Sequence, residues 1–339
     1  MKKKLLFIIM LLLINAVLVS CEKDKVNIQG KEAMGEVTEQ SLEVGKTEDA
    51  EVITQEPANN MEDAATSDEA AAGSDVTYGP ILMPEPSFGY YIAGSINDKE
   101  GQAIKLNMIS SEANNITDDD EWFINHDLSL SPYSLTGSLQ DITGNLPDEI
   151  DQEVNGMAVT SVFQDDSYLY YTYGSNYSEG YILNIYDVNT HKKAYSLDFS
   201  NYRYAPEYID TDYDYIQQKI NWAEIQDNIL YVTHSHNTYA KSSDNMNAYI
   251  TAIDLTDMGI LWRTDALVCN SHNFQMIGDV IICGYGFTDE ADFLYQINKK
   301  SGKVLEKTPL KSAPSYIIEK DNVLYVCTYN TDYEFDIMR

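Results

Sequence analysis

Three patterns of apolar and polar positions follow one another along the chain. Leu5 to Val19 is apolar apart from Asn15 and is preceded by Lys2, Lys3 and Lys4. That run is short for a membrane span and is followed by a small residue and Cys21, which predicts a signal peptide over residues 1–20. Residues 22–79 then lose all periodicity, with no aromatic residue before Tyr78. From Pro80 onward short apolar strands alternate with polar turns, and no long 3.6-residue period appears.

Within that third region a strand–turn–strand unit recurs. It reads from Val159 to Thr172, from Trp222 to Thr233, from Phe274 to Cys283 and from Tyr316 to Cys327, with Asp166, Asp227, Asp279 and Asp321 aligned in the turn. Aspartate there suits tight hairpins through local backbone hydrogen bonds. A second hairpin follows in three copies, Ile185–Tyr195, Ala252–Trp262 and Gln296–Glu306. Two hairpins per unit make a four-stranded blade. The region 80–339 holds about five blades at roughly 40–50 residues each, within a range of four to six. The expected fold is therefore all-β, a β-propeller of four-stranded blades. Its last unit has one hairpin and the strand Tyr333–Met338. A strand from the start of the domain, Gly89–Ile96, is the candidate to complete it and close the ring; alternatively the chain is a piece of a larger propeller.

The second hairpin resembles the repeat of quinoprotein-like (PQQ-like) β-propellers, Ala-x-Asp-x-x-Thr-Gly-Lys-x-x-Trp. Asp187, Asp254 and Asn298 fill its Asp position, and Thr190 and Ser301 its Thr position. Gly302-Lys303 matches the Gly-Lys pair, Trp262 keeps the tryptophan, and in the middle copy the glycine is displaced by one, to Gly259. The resemblance covers residues 155–339, with 80–154 fitting loosely. It implies that Trp262 docks one blade on the next. Quinoproteins hold their quinone against adjacent cysteines with calcium beneath, and no two cysteines are adjacent here. No cofactor, and no PQQ, is expected.

Leu18-Val19-Ser20-Cys21 resembles the bacterial lipobox. That resemblance implies a mature lipoprotein whose Cys21 carries the lipid, anchored in the cell envelope outside the cytoplasm. Residues 21–79 then form a disordered acidic linker: 22–79 hold 15 Asp+Glu against 4 Lys, too polar and self-repelling to build a core. Short helical patches are conceivable only around Met61–Ala72.

Charge narrows the partners. The chain of 339 residues carries 22 Lys+Arg against 54 Asp+Glu, a net −32. Nucleic acid is excluded as a partner, since nothing would neutralise its phosphates. Electrostatic docking on anionic lipid is disfavoured too, so contact with the membrane runs through the lipid anchor. Tyrosine is abundant, 26 against 9 Phe and 3 Trp. Tyr170, Tyr171, Tyr173 and Tyr177, with Tyr202, Tyr204 and Tyr208, offer contact area for a protein or glycan, or else fill strand faces. Apart from Cys21 the cysteines are Cys269, Cys283 and Cys327, an odd number that suits buried thiols.

Two constellations are candidates for metal. His234 and His236 lie two apart at a strand end, and His272 opens the first strand of the next unit, so three imidazoles at one end of the propeller form a zinc or copper candidate. The surrounding acidity would raise their pKa values. The same residues also suit exposed or hydrogen-bonded histidines. Asp210, Asp212 and Asp214 alternate as in a calcium loop, but Tyr215 and Asn221 replace the glycine and glutamate of an EF-hand. Asp118-Asp119-Asp120 reads as a solvated turn. No nucleophile elbow, P-loop or His-Glu-x-x-His motif occurs. The residues point to a lipid-anchored binding scaffold. The alternative is a propeller hydrolase or lyase acting on extracellular polymer at the histidine end.

Overall fold

The computed structural model describes residues 79–86, 89–94, 101–114, 119–128, 134–135, 146–176, 178–202 and 218–338. Cys21, the linker and Asp210, Asp212 and Asp214 lie outside these residues, as do Tyr177, Tyr204 and Tyr208.

The fold is a β-propeller. Four sheets follow one another along the described chain, each built on an antiparallel meander. The first comprises Met157–Gln164, Tyr168–Gly174, Ile182–Asp187 and Lys193–Asp198, the second Ala223–Gln226, Ile229–His234, Tyr249–Asp254 and Gly259–Arg263. The third comprises Gln275–Ile277, Val280–Tyr285, Phe293–Asn298 and Val304–Pro309. The fourth has Pro314–Lys320, Val323–Thr328 and Thr331–Met338. Among the described residues the blade count thus stands at the low end of the expected range.

The burial pattern explains the stacking. Middle strands such as Val280–Tyr285 are buried on both faces, whereas the last strands Lys193–Asp198 and Val304–Pro309 are largely exposed or half-buried. A sheet buried on both faces needs a neighbour on each side. Between the first two sheets Phe163 stacks on Trp222 at 4.8 Å, and the Ile225 N–H donates to Tyr170 Oη at 3.1 Å. Trp262 is fully buried and donates from Nε1 to the Lys299 carbonyl of the third sheet's turn at 3.1 Å. Asn273 exchanges two hydrogen bonds with the Ile317 backbone, at 2.7 and 3.0 Å, between the third sheet and the fourth.

The strand that completes the fourth sheet differs from the expected Gly89–Ile96. Lys105–Ala113 pairs antiparallel with Thr331–Met338, while Tyr91–Ile92 adds a fifth strand to the second sheet beside Gly259–Arg263. The reason lies just before the completing strand. Ile104 donates its N–H to Gln296 Oε1 at 2.7 Å and accepts from Gln296 Nε2 at 2.9 Å, which fixes where the chain enters the sheet. Asp119 and Asp120, expected in a solvated turn, instead open the helix Asp119–Asn125; Phe123 packs edge-on to Tyr316 of the fourth sheet at 5.0 Å. A helix of seven residues has too few turns to leave a period in the sequence, and packing sustains it.

The turns follow local chemistry. Asp227-Asn228 and Asp321-Asn322 place both central residues at positive φ, as type I′ hairpins require. In the first unit the turn is held by Asp165 rather than Asp166: its Oδ1 accepts the N–H groups of Ser167 and Tyr168, both at 2.7 Å. In the second hairpins the repeat aspartates work alike. Asp187 Oδ1 accepts from Thr190 N at 2.8 Å, Asp254 Oδ1 from Thr256 N at 2.8 Å, and Asn298 Oδ1 from Lys300 N at 2.8 Å. These bonds hold the carboxyls of Asp187 and Asp254 below the usual aspartate value.

Four residues after each of these positions the chain turns left-handed, at His191, Met258 and Gly302, with φ of 53°, 61° and 71°. Each of the three donates its N–H back to the Asp or Asn carbonyl at 2.8–2.9 Å. The middle copy is therefore not displaced. Met258 itself occupies the glycine position, and Gly259 follows it. Gly302 is needed for a second reason, because a Cβ there would stand 2.4 Å from Trp262 Cε3.

Candidate functional site

The three histidines occupy three separate settings. His234 ends its strand opposite Tyr249, and Leu230 and Val232, at alternate positions before it, are fully buried in the core. His234 shares their face of a strand buried on both sides, in the place that buried Tyr173 fills in the first sheet. Its ring lies 4.9 Å from Phe199 and 4.7 Å from Tyr202, and neither ring nitrogen has a hydrogen-bond partner. Burial, reinforced by the Arg263 guanidinium, drives its pKa well below the ordinary histidine value. The expected upward shift is reversed, because desolvation outweighs distant carboxylates.

His236 lies beyond the strand end, so the expected common facing with His234 is lost. It is buried: its N–H donates to Asn247 Oδ1 at 2.8 Å, and Nε2 shares a 2.5 Å hydrogen bond with Ser243 Oγ. His272 is exposed, with its ring 5.1 Å from Tyr316 and its N–H donating to the Ser315 carbonyl at 2.8 Å. Among the described residues no group of three or more His, Cys, Asp or Glu side chains is placed to hold a metal ion. The three imidazoles do not converge.

The tyrosines offered as contact surface divide similarly. Tyr170, Tyr171, Tyr173 and Tyr202 are all buried and belong to the packing between and behind sheets. Tyr170 also donates to Asp165 Oδ2 at 2.6 Å.

Two features had no signal in the sequence. Arg263 is fully buried, its guanidinium 3.9 Å from the Tyr249 ring centre and 5.1 Å from that of Tyr202. It pairs across its strand with Thr251, one step from Trp262, and the run Leu-Trp-Arg gave no hint that the cation turns inward.

The second is a recess of about 300 Å³ where the Lys105–Ala113 strand meets the fourth sheet, lined by Ser110, Glu112, Ala113, His126, Asp332 and Glu334. Asp332 stands opposite Glu112 and Glu334 opposite Ser110 in the pairing register. Burial raises the Asp332 carboxyl above its ordinary value and Glu112 adds to this, against the opposing effects of His126, Cys327 and Asn114. Asn114 Nδ2 donates to Asp332 Oδ1 at 3.0 Å. The recess is built by residues some 200 positions apart, and the pairing that joins them had not been assigned to this strand.

Alongside the recess the same strand shows an apolar stretch to solvent. Met108 and Ile109 are 49% and 54% exposed on the outermost strand of the sheet.

No protein-family model matches the chain, and no curated protein matches it. Solved structures similar to it include the computationally designed Ika4 protein, at 10% identity over 57% of this chain and 100% of that one, with a TM-score of 0.34. BamB from Moraxella catarrhalis is similar at 10% identity over 51% of this chain and 56% of that one, with a TM-score of 0.29. The Cps50 (Swd1) beta-propeller domain of Myceliophteria thermophila is similar at 13% identity over 54% and 52%, with a TM-score of 0.34. The chain thus spans little more than half of the last two.

Proposed function

We propose that the protein is an extracytoplasmic propeller, tethered by lipid at Cys21 through its acidic linker, that acts as a protein-binding scaffold. The observation that carries the binding role is the outer edge of the fourth sheet. Met108 and Ile109 are exposed on a nine-residue strand at the end of its sheet. An edge strand offers backbone donors and acceptors to an extended segment, and large exposed apolar side chains add contact area. The acidic composition of residues 22–79 suits a tether between anchor and domain. The lipobox, the basic start and the apolar run support the anchor. A photo-crosslinking residue placed at Ile109 in intact cell envelopes tests the reading. A discrete adduct, lost when Met108 is changed to Asp, is the expected outcome; no adduct from 109 removes the edge as the binding surface.

A further inference from the structure

Cys269 and Cys283 are both fully buried, and neither is bonded to another cysteine. Cys269 lies in the connection between the second and third sheets, and Cys283 in the second strand of the third. Backbone hydrogen bonds hold these segments side by side. The N–H groups of Asn270 and Ser271 both donate to the Gly284 carbonyl, at 2.9 and 3.1 Å, so the residues that follow the two cysteines are clamped together. Gly284 N–H donates in return to Ser271 Oγ at 3.2 Å. The Cys283 thiol reaches the carbonyl of Val268, the residue before Cys269, at 3.5 Å.

The two thiols also act on each other. Burial pushes Cys283 well up, and contact with Cys269 adds to this. Burial would raise Cys269 too, but hydrogen bonds from Cys283, from Ser271 and from the Gly284 and Ser271 backbone bring it down. That mutual contact brings the two sulfurs together in the folded protein.

We propose that Cys269 and Cys283 are a cross-linking site, forming an intramolecular disulfide that ties the crossover between the second and third sheets to the third sheet. The oxidant is a disulfide donor. Either cysteine can attack first; when Cys269 does, its thiolate attacks one donor sulfur, the donor S–S bond breaks and one donor thiolate leaves. Cys283 thiolate then displaces the second donor thiolate as the Cys269–Cys283 bond forms. Two protein thiols are oxidised, one donor disulfide is reduced to two thiols, and the two protons pass to the departing thiolates. Because both sulfurs are buried in the folded protein, exchange takes place while the crossover is still unpacked during folding. The loop between them is short, so its ends meet at small entropic cost.

The test uses the full chain, unfolded and reduced, then refolded in a buffer of reduced and oxidised glutathione. After quenching, free thiols are alkylated in denaturant. No Lys or Arg lies between Thr264 and Lys299, so trypsin leaves both cysteines in one peptide; cleavage at Asp279 separates them. The expected result is a mass about 2 Da below the reduced chain, a linked Cys269–Cys283 peptide pair that reductant splits, and alkylated Cys327, with Cys21 alkylated too where the chain is made without lipid. The oxidised protein should also show an unfolding equilibrium constant about a hundredfold smaller than the reduced one. Cys269 and Cys283 both alkylated, capped singly by glutathione, or paired with any other cysteine would overturn the proposal.

Discussion

Gly302→Ala probes the contact on which the stacking of the second and third sheets depends. The backbone at Gly302 has φ +71°, where a side chain is strained. The added Cβ would meet Trp262 Cε3 at 2.4 Å and Cδ2 at 2.7 Å. Trp262 cannot retreat freely, since it is fully buried and its Nε1 is committed to the Lys299 carbonyl. The left-handed conformation costs about 1 kcal/mol, and forcing a methyl into a packed interface adds about 1–3 kcal/mol. The variant should therefore lose about 2–4 kcal/mol, read as a lower urea midpoint at unchanged slope. Trp262→Leu vacates the space above Gly302, so in that background Gly302→Ala should cost only the backbone share, about 1 kcal/mol. The difference is a coupling energy that a double-mutant cycle measures directly. Trp262→Ala alone should cost about 3–5 kcal/mol. Equal costs for Gly302→Ala in both backgrounds would refute the contact.

Three further outcomes follow from the same contacts. His234 has its folded pKa depressed, so the unfolded chain binds more protons below the ordinary value of 6.5. Stability is then complete above 6.5 and falls by about 1.4 kcal/mol per pH unit as the medium is acidified towards the folded value; His234→Phe should flatten this part of the curve in urea titrations between pH 6.5 and 5. His191 holds a left-handed position that glycine would take without strain, and its ring approaches the exposed Glu149 carboxylate at 4.0 Å. His191→Gly should stabilise by up to about 1 kcal/mol in thermal or urea unfolding. Cys21→Ser should release the protein from membranes or leave residues 1–20 attached, as fractionation and N-terminal mass will show.

How much was legible depends on how local the cause is. The repeat aspartates act within a few residues of themselves, so Asp187, Asp254 and Asn298 announced their turns, and with them the four-stranded units. The burial of His234 has a local sign too, since Leu230 and Val232 share its strand face and belong to the core. Met258 misled because glycine is only the commonest residue at a left-handed position, and the neighbouring Gly259 looked like the better match. The completing strand was beyond reach for a different reason. Gln296 clamps Ile104 across 192 positions, and nothing near Lys105–Ala113 marks it as the partner of Thr331–Met338. The acid-lined recess and the exposed edge depend on that same pairing, and so were hidden with it.

On the proposed function, the edge formed by Lys105–Ala113 is where this propeller meets another protein. Photo-crosslinking from Ile109 in intact envelopes tests it most directly, with a second probe at the exposed Lys193, on the last meander strand of the first sheet. A discrete protein adduct is expected from Ile109, absent from Lys193 and abolished by Met108→Asp in a variant whose urea midpoint is unchanged. Equal labelling from both positions, or an adduct indifferent to Met108→Asp, would contradict it.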